Sequence, residues 1–412
     1  MQSDTRGELT SRQEWQRGWP VVLGVALGSG FGMPLFYYVF NLFIKGMTVE
    51  FHVSRGAMSN VQALIIVGAL VAPFIGRVLD RRGFRLVFLV SALAILINYA
   101  LLALWVSSLW QFAVAAFIFG VAGIGCGPVA YTRPINAWFW RSRGLALGMA
   151  SILVTVTTLF VAPGLAWLIA QYGWRSGNWA LAALFGLIGL PFAMLLVRNA
   201  PPAGPAGPVI EARASDGDAS FMGERDFILL VLAIICMAVP GAGLVSANSL
   251  LVQDEGFNPT IAAWGVSAYA VGQLLGRVVA GWFLDRVDPR RVAFVFTFVP
   301  AIGLILLAAF KLPFPVTIFA LAMVGVQQGA EIDLFAYFVS RRFGLARYGR
   351  IYGWIIAAGW VGNATGILSF GHMYDVSGSY AVIEGVGAVL MMLGAVLIAQ
   401  VRVDRADPAK AL

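Results

Sequence analysis

Arg277 lies inside the apolar run 262–291, which closes with Gly281-Trp-Phe-Leu-Asp285-Arg286 and a basic turn, Arg290-Arg291. A charge at the centre of a membrane-spanning helix costs about 2.5–3.5 kcal/mol even on the lenient insertion scale, so it normally faces a bundle interior or a watery path. A guanidinium is a two-pronged donor matched to a carboxylate, and the pairing strengthens where water is scarce. Gln273 and Tyr269, four and eight residues earlier, share its helical face. Arg277 and Gln273 are therefore candidates for holding an anionic solute. The alternative is a structural ion pair of Arg277 with Glu331 or Asp333.

Those two acids belong to the most polar of the later apolar runs, together with Gln327, Gln328 and Tyr337. Two residues apart, they point to nearly opposite sides of a helix. Gln327, Gln328, Glu331 and Phe335 share one face, Asp333 and Tyr337 another, so only one of the acids is expected to line the cavity. Desolvation raises a carboxyl pKa and a nearby arginine lowers it. An acid poised between these effects could load and release a proton, and Glu331 and Asp333 are both candidates. A fixed hydrogen bond between helices is the alternative for either. Gln327, and Tyr37, Tyr38 and Asn41 near the first apolar run, are further candidates for solute contact, with plain packing as the other reading. Arg133 could reach the membrane interface, pair with an acid, or form a second anion contact.

The elements that must carry these residues are helices in a bilayer. The chain has 412 residues, is 60% hydrophobic and 12% charged, and has mean hydropathy +0.83. Soluble domains carry about 25% charged residues, so this chain cannot coat a water-facing surface. Runs of about 20 apolar residues predict an all-α polytopic membrane protein with twelve spans. They fall near 19–43, 58–79, 86–108, 110–138, 145–171, 178–198, 227–252, 261–284, 292–310, 315–340, 351–374 and 381–401. Residues 1–17 lack the apolar core and cleavage site of a signal peptide, so the first run is expected to be a retained span. Most Lys and Arg residues then fall on the side of the N-terminus, among them Arg81, Arg82, Arg85, Arg141, Arg143, Arg286, Arg290, Arg291, Arg341 and Arg342. By the positive-inside rule both termini are cytoplasmic. The net charge of +8 thus reports topology, and no nucleic-acid partner is expected.

Gly76-Arg77-Val78-Leu79-Asp80-Arg81 closes the second run as Gly281–Arg286 closes the eighth, 205 residues later. Gly144/Gly349, Gly148/Gly353 and Gly173/Gly378 keep the same offset. One constant offset over half the chain predicts two six-helix halves of like fold, 1–198 and 227–412. Residues 199–226, with Pro201, Pro202, Pro205 and Pro208 and then a polar stretch, read as a flexible cytoplasmic linker. Glycines and Pro34 predict a bend in the first span, and Pro240-Gly241 predicts a break in the seventh.

Over its whole length the chain resembles the major facilitator superfamily, on the strength of the Gly76–Arg85 loop, its copy at Gly281–Arg291 and the six-plus-six repeat. Trp138-Phe139…Arg143-Gly144-Leu145-Ala146-Leu147-Gly148, Tyr172-Gly173-Trp174-Arg175 and Tyr374-Asp375…Gly378-Ser379-Tyr380 are similar to the monocarboxylate and oxalate/formate carrier branch. The resemblance implies a secondary active transporter of small organic anions, with monocarboxylate and proton moving together by alternating access. Its site is expected near mid-membrane between the halves, built from the first, fourth, seventh, eighth and tenth spans. It implies that Arg277 binds the substrate carboxylate and that Tyr131 is the aromatic contact of the fourth span. It also implies that Gly76, Asp80, Arg81, Gly281, Asp285 and Arg286 form cytoplasmic latches, against the alternative of polar turns that set topology. The chain departs from that branch at three places: Gln273 stands where animal-type carriers have an acid, Leu35 follows Pro34 where they have a lysine, and 351–374 holds no lysine. A single buried cation suits a monoanion better than a dianion. The expected setting is a bacterial inner membrane, with lipid and protons as partners, a monomeric state, and no cofactor or metal. The other transporter reading is an efflux carrier of neutral or amphiphilic compounds in which the buried charges form a structural network. Enzyme chemistry is disfavoured because the only histidines, His52 and His372, lie near outer ends, and no G-x-x-x-x-G-K-[ST] loop is present for ATP-driven transport.

Overall fold

The computed structural model describes residues 10–53, 61, 64, 65, 68, 70–198, 220–254, 259–309 and 312–403. The described residues form helices α1 (Ser11–Phe31), α2 (Met33–Val39), α3 (Asn41–Phe51), α4 (Ala72–Arg82), α5 (Phe84–Leu104), α6 (Leu109–Ile124), α7 (Pro128–Trp138) and α8 (Arg143–Tyr172). These are followed by α9 (Trp174–Leu184), α10 (Leu190–Leu196), α11 (Arg225–Asp254), α12 (Pro259–Leu284), α13 (Pro289–Ala309), α14 (Phe314–Arg342), α15 (Tyr348–Ser377) and α16 (Ala381–Ala399). Ten helical stretches among them are long and apolar enough to cross a bilayer. Helices dominate because only a helix, or a closed barrel, satisfies every backbone group in hydrocarbon.

Glycine and proline decide where spans bend. The first span breaks at Gly32, whose extended backbone (φ −86°, ψ −152°) separates α1 from α2. The fourth breaks at Gly127, just before Pro128 opens α7. The sixth loosens into a π-turn, Phe185–Gly189, ahead of Pro191. The expected break in the seventh span is absent: α11 runs unbroken through Pro240. The reason is packing. A Cβ on Gly241 would strike the Gln328 amide and one on Gly243 would strike the Phe370 ring, so these glycines admit α14 and α15 closely and do not end the helix. Gly173 and Gly378, one repeat apart, both take left-handed φ values, +80° and +66°, where a side chain would be strained.

The chain divides into two compact units. One comprises Met1–Arg141, Met149–Val209 and Leu345–Gly353; the other comprises Ser142–Gly148, Ile210–Gly344 and Trp354–Leu412. Each unit thus contains the first turns of a helix from the opposite repeat: α15 in the first, α8 in the second.

In the first unit, Phe36, Phe40, Phe43, Tyr99, Phe112 and Phe119 interlock as a buried aromatic core. Arg175 pairs with Glu50, stacks on Trp174 and donates to the Val106 carbonyl at 2.7 Å, tying the start of α9 to the end of α3 and the turn after α5. The Arg175 bond holds the Glu50 carboxyl below its usual range.

In the second unit, Leu244, Leu304, Leu321, Val324, Phe370 and Met391 join α11, α13, α14, α15 and α16. Residues 199–219 lie outside the described part of the chain. After them Ser220–Gly223 forms a 3₁₀ turn whose Phe221 is fully buried against Phe227. Asp226 then accepts from Arg342 Nε at 2.5 Å and from the Arg402 amide at 3.4 Å, joining the ends of α11, α14 and α16.

Candidate functional site

Two helices of the second unit carry the buried arginine and the two acids, and glycines set their spacing. A Cβ on Gly272 or Gly276 of α12 would strike the backbone of Ala322 or Val326 of α14. In return, a Cβ on Gly325 or Gly329 would strike the backbone of Tyr269 or Gln273. Reciprocal small-xxx-small stripes of this kind let spanning helices pack backbone to backbone. The pairs 272/322 and 276/326 keep one offset and 269/325 and 273/329 another, the two sides of one parallel crossing, which sets Arg277 alongside the stretch 327–333 of α14.

Arg277 is 8% exposed, Glu331 4% and Asp333 2%. Glu331 accepts from Gln327 Nε2 at 2.8 Å, an i, i+4 bond along the face expected for them. Tyr337, on the Asp333 side, donates to the Leu284 carbonyl at 3.2 Å. The structure therefore collects Gln273, Arg277, Gln327, Glu331 and Asp333 along one tight helix pair.

At the ends of these helices the two repeats form like contacts. In the second unit Gly144 crosses Gly281, and Gly148 crosses Arg277. In the first, Gly349 crosses Gly76, and Gly353 crosses Ala72. At each crossing a Cβ would strike the facing backbone. The acids lie beside these crossings. Asp285 accepts from the Gly144 and Leu145 amides at 2.7 and 2.8 Å. Asp80 accepts from the Gly349 and Arg350 amides at 2.9 and 3.0 Å. Both carboxylates thus cap the orphan donors of a helix N-terminus, where the helix dipole also favours negative charge. Arg133 stands 3.4 Å from Asp80, which selects acid pairing among the roles open to it. Around Asp285 the cations are Arg143, 2% exposed and bonded to Ser340 Oγ at 3.0 Å, and Arg341, which lies over the Tyr337 ring. Arg81 and Arg286 point outward instead, Arg286 stacking on Trp282.

Burial pushes the Asp80 carboxyl up to about 6, against the Arg350 and Gly349 amides and Arg133. Burial likewise pushes Asp285 up to about 6, against the Leu145 and Gly144 amides, Arg341 and Arg143. A solvated aspartate titrates near about 3.9, so between about 4 and 6 the engaged acids keep a proton that a released acid has lost. Engagement is favoured below that window and loses support as the pH rises through it. Hydrogen exchange at residues 144, 145, 349 and 350, corrected for intrinsic rate, is expected to show protection falling from pH ~4.5 to ~7. The same profile should be flat in Asp80→Asn/Asp285→Asn. Protection that increases with pH would contradict this assignment.

Several residues here had no strong signal in the sequence. Glu14, in the polar approach to the first span, is 2% exposed and accepts from the Trp140 and Arg141 amides at 3.0 and 2.9 Å. It anchors the turn that precedes Gly144. Tyr348 donates to Thr132 Oγ1 at 2.7 Å, the first-unit counterpart of Arg143 with Ser340. Only the offset of 205 between positions 143 and 348 hinted at that equivalence.

The aromatic candidates are dispersed. Tyr131 is 3% exposed and packs against Phe84 and Phe88, with its hydroxyl facing Gly28 of α1 and Gly32 at the break after it. This is the setting of a core residue, because two glycines and two phenylalanines enclose the ring. Tyr37 is half-buried and meets the exposed Tyr38 edge to face. The Asn41 side chain lies outside the described part of the structure.

Comparison with known proteins gives these arrangements a lineage. The chain is 24% identical over 373 residues to a nitrite extrusion protein of Bacillus subtilis (strain 168), covering 87% of each chain. It is 27% identical over 267 residues to monocarboxylate transporter 13 of Bos taurus, covering 63% of this chain and 60% of that protein. Among solved structures, the E. coli fucose:proton symporter FucP matches with TM-score 0.72 at 16% identity, over 92% of this chain and 98% of that one, which is a likeness of fold. The Major Facilitator Superfamily model matches residues 26–245 and again 227–412. One model fitting the chain twice is the repeat seen in the glycine and aspartate spacings, and with its twelve-span, two-half helical fold this integral membrane protein belongs to the major facilitator superfamily of transporters.

Proposed function

We propose that this transporter carries small organic anions, monocarboxylates foremost, together with protons and by alternating access. The observation that carries the reading is Arg277, buried in the α12 face that abuts α14 and gathered with Gln273, Gln327, Glu331 and Asp333. The guanidinium would hold the carboxylate in its fork, and the two glutamines would supply neutral hydrogen bonds. Glu331 and Asp333, both buried, are the candidates to carry the proton, with Glu331 taking a bond from Gln327. Protonating an acid beside Arg277 removes a competitor for the guanidinium, so proton and carboxylate favour each other's binding. The names of the similar proteins, nitrite and monocarboxylate carriers, agree with a monoanion. Asp80 and Asp285 act as conformational latches on the cytoplasmic side, where both termini also lie. The setting is a bacterial plasma membrane.

A second reading has its own support. The gathering of Arg277 with two buried acids on one helix pair also suits a permanent structural network, and the cargo would then be neutral or amphiphilic. Uptake of radiolabelled L-lactate into proteoliposomes, with and without an inward proton gradient, separates the two. Accumulation that depends on the gradient is expected. Lactate flux no greater than in empty liposomes, with a neutral amphiphile moving instead, would overturn the anion reading.

A further inference from the structure

Gly148 and Gly353 are repeat equivalents, each one turn beyond the glycine that supplies an amide to a latch aspartate. Each crosses a partner helix at backbone distance. A Cβ on Gly353 would come 2.6 Å from the Ala72 carbonyl oxygen and 2.9 Å from Pro73 Cα. A Cβ on Gly148 would strike the Arg277 carbonyl, 3.1 Å from its carbon and 3.7 Å from Val278 Cα. The crossings are alike in geometry, and the residue opposite differs: alanine in one repeat, the buried arginine in the other.

The Arg277 backbone is confined from another direction as well, since Gly276 beside it abuts Val326 of α14. It therefore cannot move away from a bulkier residue at 148 without dragging α12 off α14. Backbone atoms are the obstacle, and they cannot rotate aside as a flexible side chain would.

We propose that Gly148 is the positioning residue for Arg277: its missing side chain sets where the arginine stands, and so where an anion can be held. The first turns of α8 also carry the amides bonded to Asp285, so the acid contact and the placement of Arg277 change together. The inference rests on the anion reading for its transport consequence and stands on packing alone for its structural one.

The test has two arms, both on the full chain in proteoliposomes. In the first, Arg277→Cys is made in a Cys126→Ala/Cys236→Ala background, and its labelling rate by the anionic thiol reagent methanethiosulfonate ethylsulfonate is measured. Adding Gly148→Ala is expected to change that rate about fivefold or more, a difference of order 1 kcal/mol, while adding Gly353→Ala leaves it within about twofold. Equal rates in all three backgrounds, zero included, or equal changes from both alanines, overturn the proposal. In the second arm, L-lactate uptake is expected to show KM raised about tenfold by Gly148→Ala and little altered by Gly353→Ala. Absence of lactate uptake by the unmodified chain sinks the anion reading and leaves the labelling arm to decide the positioning role.

Discussion

Arg277→Ala is expected to lower carboxylate uptake about 100-fold, because the charge-assisted bonds lost are worth about 1.5–3 kcal/mol each. Arg277→Lys should retain part of the activity, reduced about tenfold, since an ammonium keeps the charge and loses the planar fork. Initial rates in proteoliposomes, read beside the Tm of each variant, provide the measurement. The network alternative predicts a different pattern. Removing one partner of a buried pair leaves an uncompensated acid and costs about 3–5 kcal/mol of stability, so Tm would collapse in Arg277→Ala and flux of any cargo would fall with it. Unchanged carboxylate transport in both variants would remove Arg277 from the site altogether.

Gly76→Val and Gly281→Val should have effects of comparable size by another route. A Cβ at Gly76 would meet the Gly349 carbonyl, and one at Gly281 the Gly144 carbonyl, both backbone groups. The helix ends must separate, and Asp80 or Asp285 then loses its pair of amide donors. Two bonds to a charged group are worth about 3 kcal/mol or more together, so the engaged form should fall about 100-fold in population. Hydrogen exchange at residues 349 and 350, or 144 and 145, should accelerate to match, and transport should slow in parallel. Gly164→Ala and Gly371→Ala serve as controls, because open space surrounds both positions. Should the valine variants keep native exchange at the four amides, close glycine crossing would not be what holds the acids in place.

Much of the architecture was legible without coordinates, for local reasons. A span announces itself because a lipid-facing helix needs about 20 apolar residues, and the repeat because Gly76/Gly281, Asp80/Asp285 and Gly144/Gly349 recur at one offset. The candidate status of Arg277, Glu331 and Asp333 followed from the cost of burying charge, which holds whatever the neighbours are. Hydropathy and charge are properties of the chain itself.

What remained depended on neighbours that no local pattern names. Pro240 was expected to break a helix and does not, because Gly241 and Gly243 seat against Gln328 and Phe370. Arg133 had three possible roles until Asp80 was found 3.4 Å away. Glu14 read as part of a polar tail, yet it is a buried anchor for two amides more than 120 positions downstream. Tyr131, an aromatic in a glycine-rich span, turns into the bundle core because Gly28 and Gly32 of the first span leave room for its ring. The twelve-span repeat and its buried charges were thus determined by the sequence alone. The partner of each buried group was decided by tertiary structure, because a hydrogen bond or a glycine crossing joins residues whose separation along the chain carries no record of their distance in space.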